Sequence, residues 1–80
     1  MLKENDKVVL NWDVINETHK IYKTPINIIE DVKAMDNGEN GIHEITCVEH
    51  DRDLEMSFYI LNYSGYCFEE DGLILIERNN

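Results

Sequence analysis

Leu54–Asn62 opens on an unbroken alternation. Leu54, Met56, Phe58 and Ile60 point one way; Glu55, Ser57 and Tyr59 point the other. A period of two is that of a strand with one buried face. The segment before it, Ile42–His50, is a second strand, and Asp51-Arg52 suits a two-residue turn between them. That register pairs Cys47 with Met56 and Ile45 with Phe58. A three-residue loop would instead turn Thr46 and Val48 to the core. The even loop buries more apolar atoms and is preferred.

The rest of the chain is read around this hairpin. In Lys7–Ile15, Val8, Leu10, Trp12 and Val14 alternate onto one face, which predicts a strand. Asn16-Glu17 then reads as a turn and Thr18–Lys23 as the returning strand. This pairing sets Trp12 opposite Ile21 and Asp13 opposite Lys20. The turn lacks the glycine that a two-residue loop usually contains. A helix follows over 25–37: Thr24 as N-cap, Pro25 at the first turn, Ile28, Ile29, Val32 and Met35 on one face, and Gly38 as a left-handed cap. Tyr66–Glu69 is a short strand between turns at Ser64-Gly65 and Glu70–Gly72. Leu73–Ile76 is apolar on both faces, as in a strand inside the sheet or covered on both sides. The expected fold is α+β: a small antiparallel meander of five or six short strands with one helix packed on one face. The runner-up is an all-β small barrel in which the helix is a strand.

With 80 residues the chain is one domain over 1–80, near the size at which a single core becomes marginal. No apolar run reaches the roughly 18 residues that cross a membrane, and the start has no leader-like apolar stretch. A cytoplasmic protein is expected, with Cys47 and Cys67 as reduced, mainly packing residues.

The net charge is −10, and it is unevenly spread. Residues 1–35 carry five bases and six acids; residues 36–80 carry two bases and 11 acids. This balance disfavours nucleic acid and anionic membranes as direct partners.

Recognisable chemistry is absent from the spacing. His43, Cys47 and His50 match no zinc motif; on a strand, His43 and Cys47 stand about 13 Å apart. Asp36–Cys47 begins like a calcium loop but has Gly38 at the third position and Cys47 where a bidentate glutamate belongs. There is no phosphate-cradling glycine loop and no nucleophile motif. No cofactor, no metal and no catalytic residue are expected, and the chain is read as not an enzyme.

What stands out is acidity. Glu49, Asp51, Asp53 and Glu55 surround one turn; Glu69, Glu70 and Asp71 surround another. Alternate turns of a meander share one end of the sheet, so the seven carboxylates are expected together, with Arg52 as the one nearby base. Such a field attracts a basic surface and accelerates encounter with it. Tyr59 and Tyr63 project opposite Phe58 and are candidate anchors within a ring of charge. The competing reading is that the acids only keep a small protein soluble and that the tyrosines form a second small core over Leu73–Ile76.

The expected function is a small acidic cytoplasmic protein-binding module that docks its acidic C-terminal half on a basic protein surface. In size and charge alone it is similar to inhibitors encoded by phages and mobile elements. The alternatives are a non-catalytic homo-oligomer, such as a homodimer paired through the tyrosine face or an open sheet edge, and a small-ligand or metal-binding regulator.

Overall fold

The alternation at the start of the chain ends after four residues. The structure, a computed structural model, describes residues 2–79, and of the expected strand over 7–15 it keeps only Lys7–Leu10 (β1). Trp12–Tyr22 is a helix (α1), so the expected hairpin around Asn16-Glu17 does not form. The residues that alternate also fit a helical stripe: Trp12, Ile15 and His19 recur at helical spacing. A helix needs no glycine at Asn16-Glu17. It also gains an Asp13 in its first turn and Lys20 in its last, which suits its dipole. Lys23, in the left-handed region at φ 52°, ends it.

The second helix, α2, spans Ile26–Gly38, within a residue of the expected bounds, and the all-β alternative is excluded. Val32 is buried, and Ile28, Ile29 and Met35 are half-buried, as the stripe implies. The caps differ. Pro25 occupies the N-cap position, and the Thr24 hydroxyl goes instead to His19 Nδ1, 3.1 Å away. Gly38 is the last helical residue. The reversal uses Asn40 and Gly41, both with positive φ, and Gly41 N donates to the Asp36 carbonyl at 2.8 Å.

Three strands then form a meander: β2 (His43–Asp51), β3 (Met56–Leu61) and β4 (Cys67–Glu69). A short 3-10 turn, Glu70–Gly72, leads to β5 (Leu73–Glu77), which pairs with β1. The order is β4-β3-β2-β1-β5, antiparallel throughout. The outer strands are therefore consecutive in the chain. Flat, they would lie roughly 19 Å apart across four strand spacings. Four Cα steps from Glu69 to Leu73 reach about 15 Å at most. The sheet must curl until its two edges approach at the 3-10 turn, though it does not close into a barrel. There Asn11 N donates to the Gly72 carbonyl at 2.8 Å, and Ile15 packs on the buried Gly72. A Cβ on Gly72 would stand 3.2 Å from Ile15 Cγ1, so glycine permits the approach of α1.

The β2–β3 register differs from the expected one. The loop is four residues, Arg52–Glu55, and pairs Asp51 with Met56, Glu49 with Phe58, and Cys47 with Ile60. A bulge between Ile45 and Cys47 inserts Thr46 and reverses the faces of β2: His43 and Ile45 point inward before it, Val48 after it. Across the ladder, Val48 faces Tyr59, Tyr59 faces Phe68 and Ile45 faces Leu61. Tyr59, at 1% exposure, and Leu61 are thus core, while Phe58 and Ile60 are half-buried and Leu54 is 59% exposed. The core collects Val8, Leu10, Ile15, Val32, Ile45, Tyr59, Leu61, Phe68 and Leu73 from strands and helices alike. β5 is an outer strand, and its Ile74 and Ile76 are about half exposed, contrary to a strand covered on both sides.

Candidate functional site

The two acid-bearing turns meet. The β2–β3 loop and the 3-10 turn lie at one end of the curled sheet, where Glu55, Glu69, Glu70 and Asp71 line one cleft of about 350 Å³ together with His50 and Tyr59. The Phe58–Glu69 pairing fixes this juxtaposition, since it sets the end of β4 beside the start of β3. Glu49, Asp51 and Asp53 are outside the lining. Glu49 is exposed on β2 opposite Phe58. Asp51 turns inward on its own loop: its Oδ1 accepts from Asp53 N at 2.9 Å and Leu54 N at 3.1 Å, which shapes the turn and leaves Asp53 exposed.

Within the cleft the carboxylates are not equivalent. Glu70 Oε1 accepts from the Tyr59 hydroxyl at 3.0 Å and from Leu2 N at 3.3 Å, so it braces the N-terminal segment against β3. Burial raises the Tyr59 phenol above its ordinary pKa, and the Glu70 carboxylate adds to the shift. Tyr59 is therefore an internal strut whose hydroxyl is held by Glu70, not an exposed anchor. Tyr63 is the opposite case, 88% exposed at the tip of the β3–β4 turn. This turn sits two residues earlier than expected. Asn62 and Tyr63 both have positive φ, and Ser64 N donates to the Leu61 carbonyl at 2.8 Å. That is a type I′ turn, made without glycine at either central position.

A second polar group, half-buried around the enclosed His43, joins helices and sheet, and nothing in the linear spacing announces it. Trp12 Nε1 donates to Asp36 Oδ2 at 2.9 Å, and His43 Nε2 lies 2.6 Å from Asp36 Oδ1. Asn62 Nδ2 lies 2.7 Å from His43 Nδ1, while Asn62 Oδ1 accepts from Glu44 N at 3.0 Å. The Glu44 contact fixes the Asn62 amide, so its NH2 faces His43. His43 Nδ1 is then an acceptor, and Nε2 carries the proton given to Asp36. An Asp–His pair of this kind activates a nucleophile only when the second ring nitrogen faces one. Here that nitrogen is taken by an amide, so the chain Trp12–Asp36–His43–Asn62 acts as a clasp tying α1, α2, β2 and the β3–β4 turn together.

Other titratable groups are structural in the same sense. The Asp6 side chain has no exposed surface; it accepts from Lys3 N and Asn79 N and faces Arg78 Nη1 at 3.8 Å. Burial would raise its carboxyl, but those N–H groups and the charges of Arg78 and Lys3 outweigh it and hold the pKa below its ordinary value. His19 Nε2 is enclosed without a hydrogen-bond partner, and burial lowers the pKa of its ring. Among the described residues no three His, Cys, Asp or Glu side chains converge as a metal site, and Cys47 and Cys67 are unpaired. No helix among them is long and apolar enough to cross a membrane. Comparison with known protein families, curated proteins and solved structures finds no match to this chain.

Proposed function

We propose that this protein is a binding module that docks its acidic corner on a basic surface of another protein. The observation that carries the reading is the convergence of Glu55 from the β2–β3 loop with Glu69, Glu70 and Asp71 from the end of β4 and the 3-10 turn, on one cleft of a chain with net charge −10. Like charges gathered at one end of a small domain repel one another, and a cationic partner relieves that repulsion. On this reading the protein acts in the cytoplasm, where its two unpaired cysteines stay reduced. The test is capture of partners from host lysate at about 50 and 500 mM salt. A basic protein held at the lower salt and released at the higher supports the reading. Retention unaffected by salt counts against it.

One observation favours a second reading, self-association. β5 has a hydrogen-bonded neighbour on one side only and half-exposes Ile74 and Ile76, so its open edge is available to a second copy. Tyr59, being core, takes no part in this. Light scattering that reports a dimer converted to monomer by Ile74→Lys would establish it; a monomer at high concentration would remove it.

A further inference from the structure

Beside the acidic cleft lies a larger and mainly apolar one of about 530 Å³, and the two share Met56 and Glu69 as lining. Its walls include Ile15, Ile28 and Val32 from the helices and Phe58 and Phe68 from the sheet. β4 forms one side of it and is an outer strand. Volume and lining are those of a site that encloses one or two apolar side chains. The chain's own exposed apolar residues Tyr22 and Leu54 line it as well, adding apolar surface to the site.

We infer that the partner's contact segment is basic and amphipathic: an apolar anchor enters this larger cleft while flanking lysines or arginines lie over Glu69, Glu55 and Asp71. The inference rests on the acidic-corner reading and adds to it the chemistry of the docked segment. Charge complementarity selects the occupant. A second copy of this chain would bring its own −10 charge to an acidic rim, and an anionic amphiphile would meet Glu69 at the junction of the two clefts. A cation with an apolar neighbour satisfies both clefts at once. A few anchors buried in a pocket at the centre of a contact, aromatic ones above all, carry most of the energy in protein recognition.

The test uses two peptides of equal charge, acetyl-KKFLKK-amide and acetyl-KKSGKK-amide, titrated into the full chain at low salt and followed by amide chemical shifts. The anchored peptide should bind about tenfold more tightly, the gain from burying much of one apolar side chain. Cys67→Trp, which fills the cleft from the exposed edge of β4, should abolish that tenfold difference and leave the affinity for acetyl-KKSGKK-amide unchanged. Leu54→Ser, at an exposed position in the lining, should reduce the difference without burdening the fold. Equal, salt-sensitive binding of both peptides overturns the anchor and leaves the acidic corner standing. Binding of neither peptide overturns both.

Discussion

Asn62 offers a test of the buried clasp in which two physical effects separate. Its amide donates to His43 Nδ1 at 2.7 Å, the one donor to that nitrogen among the described residues, and its backbone sits at φ 52°. Asn62→Ala removes the amide and strands an enclosed ring nitrogen, which costs about 1–3 kcal/mol. It also puts a Cβ without a compensating local hydrogen bond into the left-handed region, for about 1 kcal/mol more. Asn62→Gly removes the same amide but accepts the backbone angle without strain. A domain of this size has about 4–12 kcal/mol of stability in all. The alanine variant should therefore lose about 2–4 kcal/mol and the glycine variant clearly less. Urea unfolding reads both; with a slope of about 1 kcal/mol/M, the alanine midpoint falls by about 2 M or more. An alanine variant within about 0.5 kcal/mol of the parent would refute the clasp.

Two further perturbations probe other parts of the fold. The folded-state pKa of Asp6 is held below its unfolded value, so its contribution is present above the ordinary carboxylate range and is lost as pH falls through the depressed value. Asp6→Asn should lower the melting temperature at pH 7 and flatten its decline between pH 5 and 2, whereas curves parallel to the parent's would contradict this. Leu61, fully buried, and Ile60, half-buried, test the facing of β3: Leu61→Ala should cost about 2–5 kcal/mol and Ile60→Ala clearly less, and the reverse order in thermal unfolding would mean that the strand is turned over.

The α2 helix was legible because Pro25 and the stripe through Ile28, Val32 and Met35 agree on it, although the left-handed reversal falls at Asn40 and Gly41 and not at Gly38. The α1 helix was misread as a hairpin because Val8, Leu10 and Trp12 satisfy a strand's period as well as Trp12, Ile15 and His19 satisfy a helix's; the absence of a glycine at Asn16-Glu17 was the signal against the turn. The facing of β2 and β3 was missed for one physical cause. The Thr46 bulge inserts a residue that no composition rule marks, and with a side-chain period of two a single residue exchanges the faces. This is why Tyr59, read as an exposed anchor, is the largest enclosed side chain. The meeting of the two acidic turns followed from meander geometry alone, which is insensitive to that slip. Asp36 and His43 stand seven residues apart across the reversal at Asn40-Gly41, and Asn62 comes in from the β3–β4 turn 19 residues further on; no motif marks the three as a group.

The central claim is that the position of the acids matters, beyond their number. The most direct measurement compares two triple variants of equal charge. One neutralises the corner (Glu55→Gln, Glu69→Gln, Asp71→Asn); the other neutralises exposed acids elsewhere (Glu4→Gln, Glu30→Gln, Glu39→Gln). Both are used to capture partners from host lysate at about 50 mM salt, where surface charge acts over more than 10 Å. The account predicts that a basic protein held by the parent is retained by the second variant and lost by the first. Equal loss from both would mean that net charge alone attracts the partner, and would contradict the corner as a binding site.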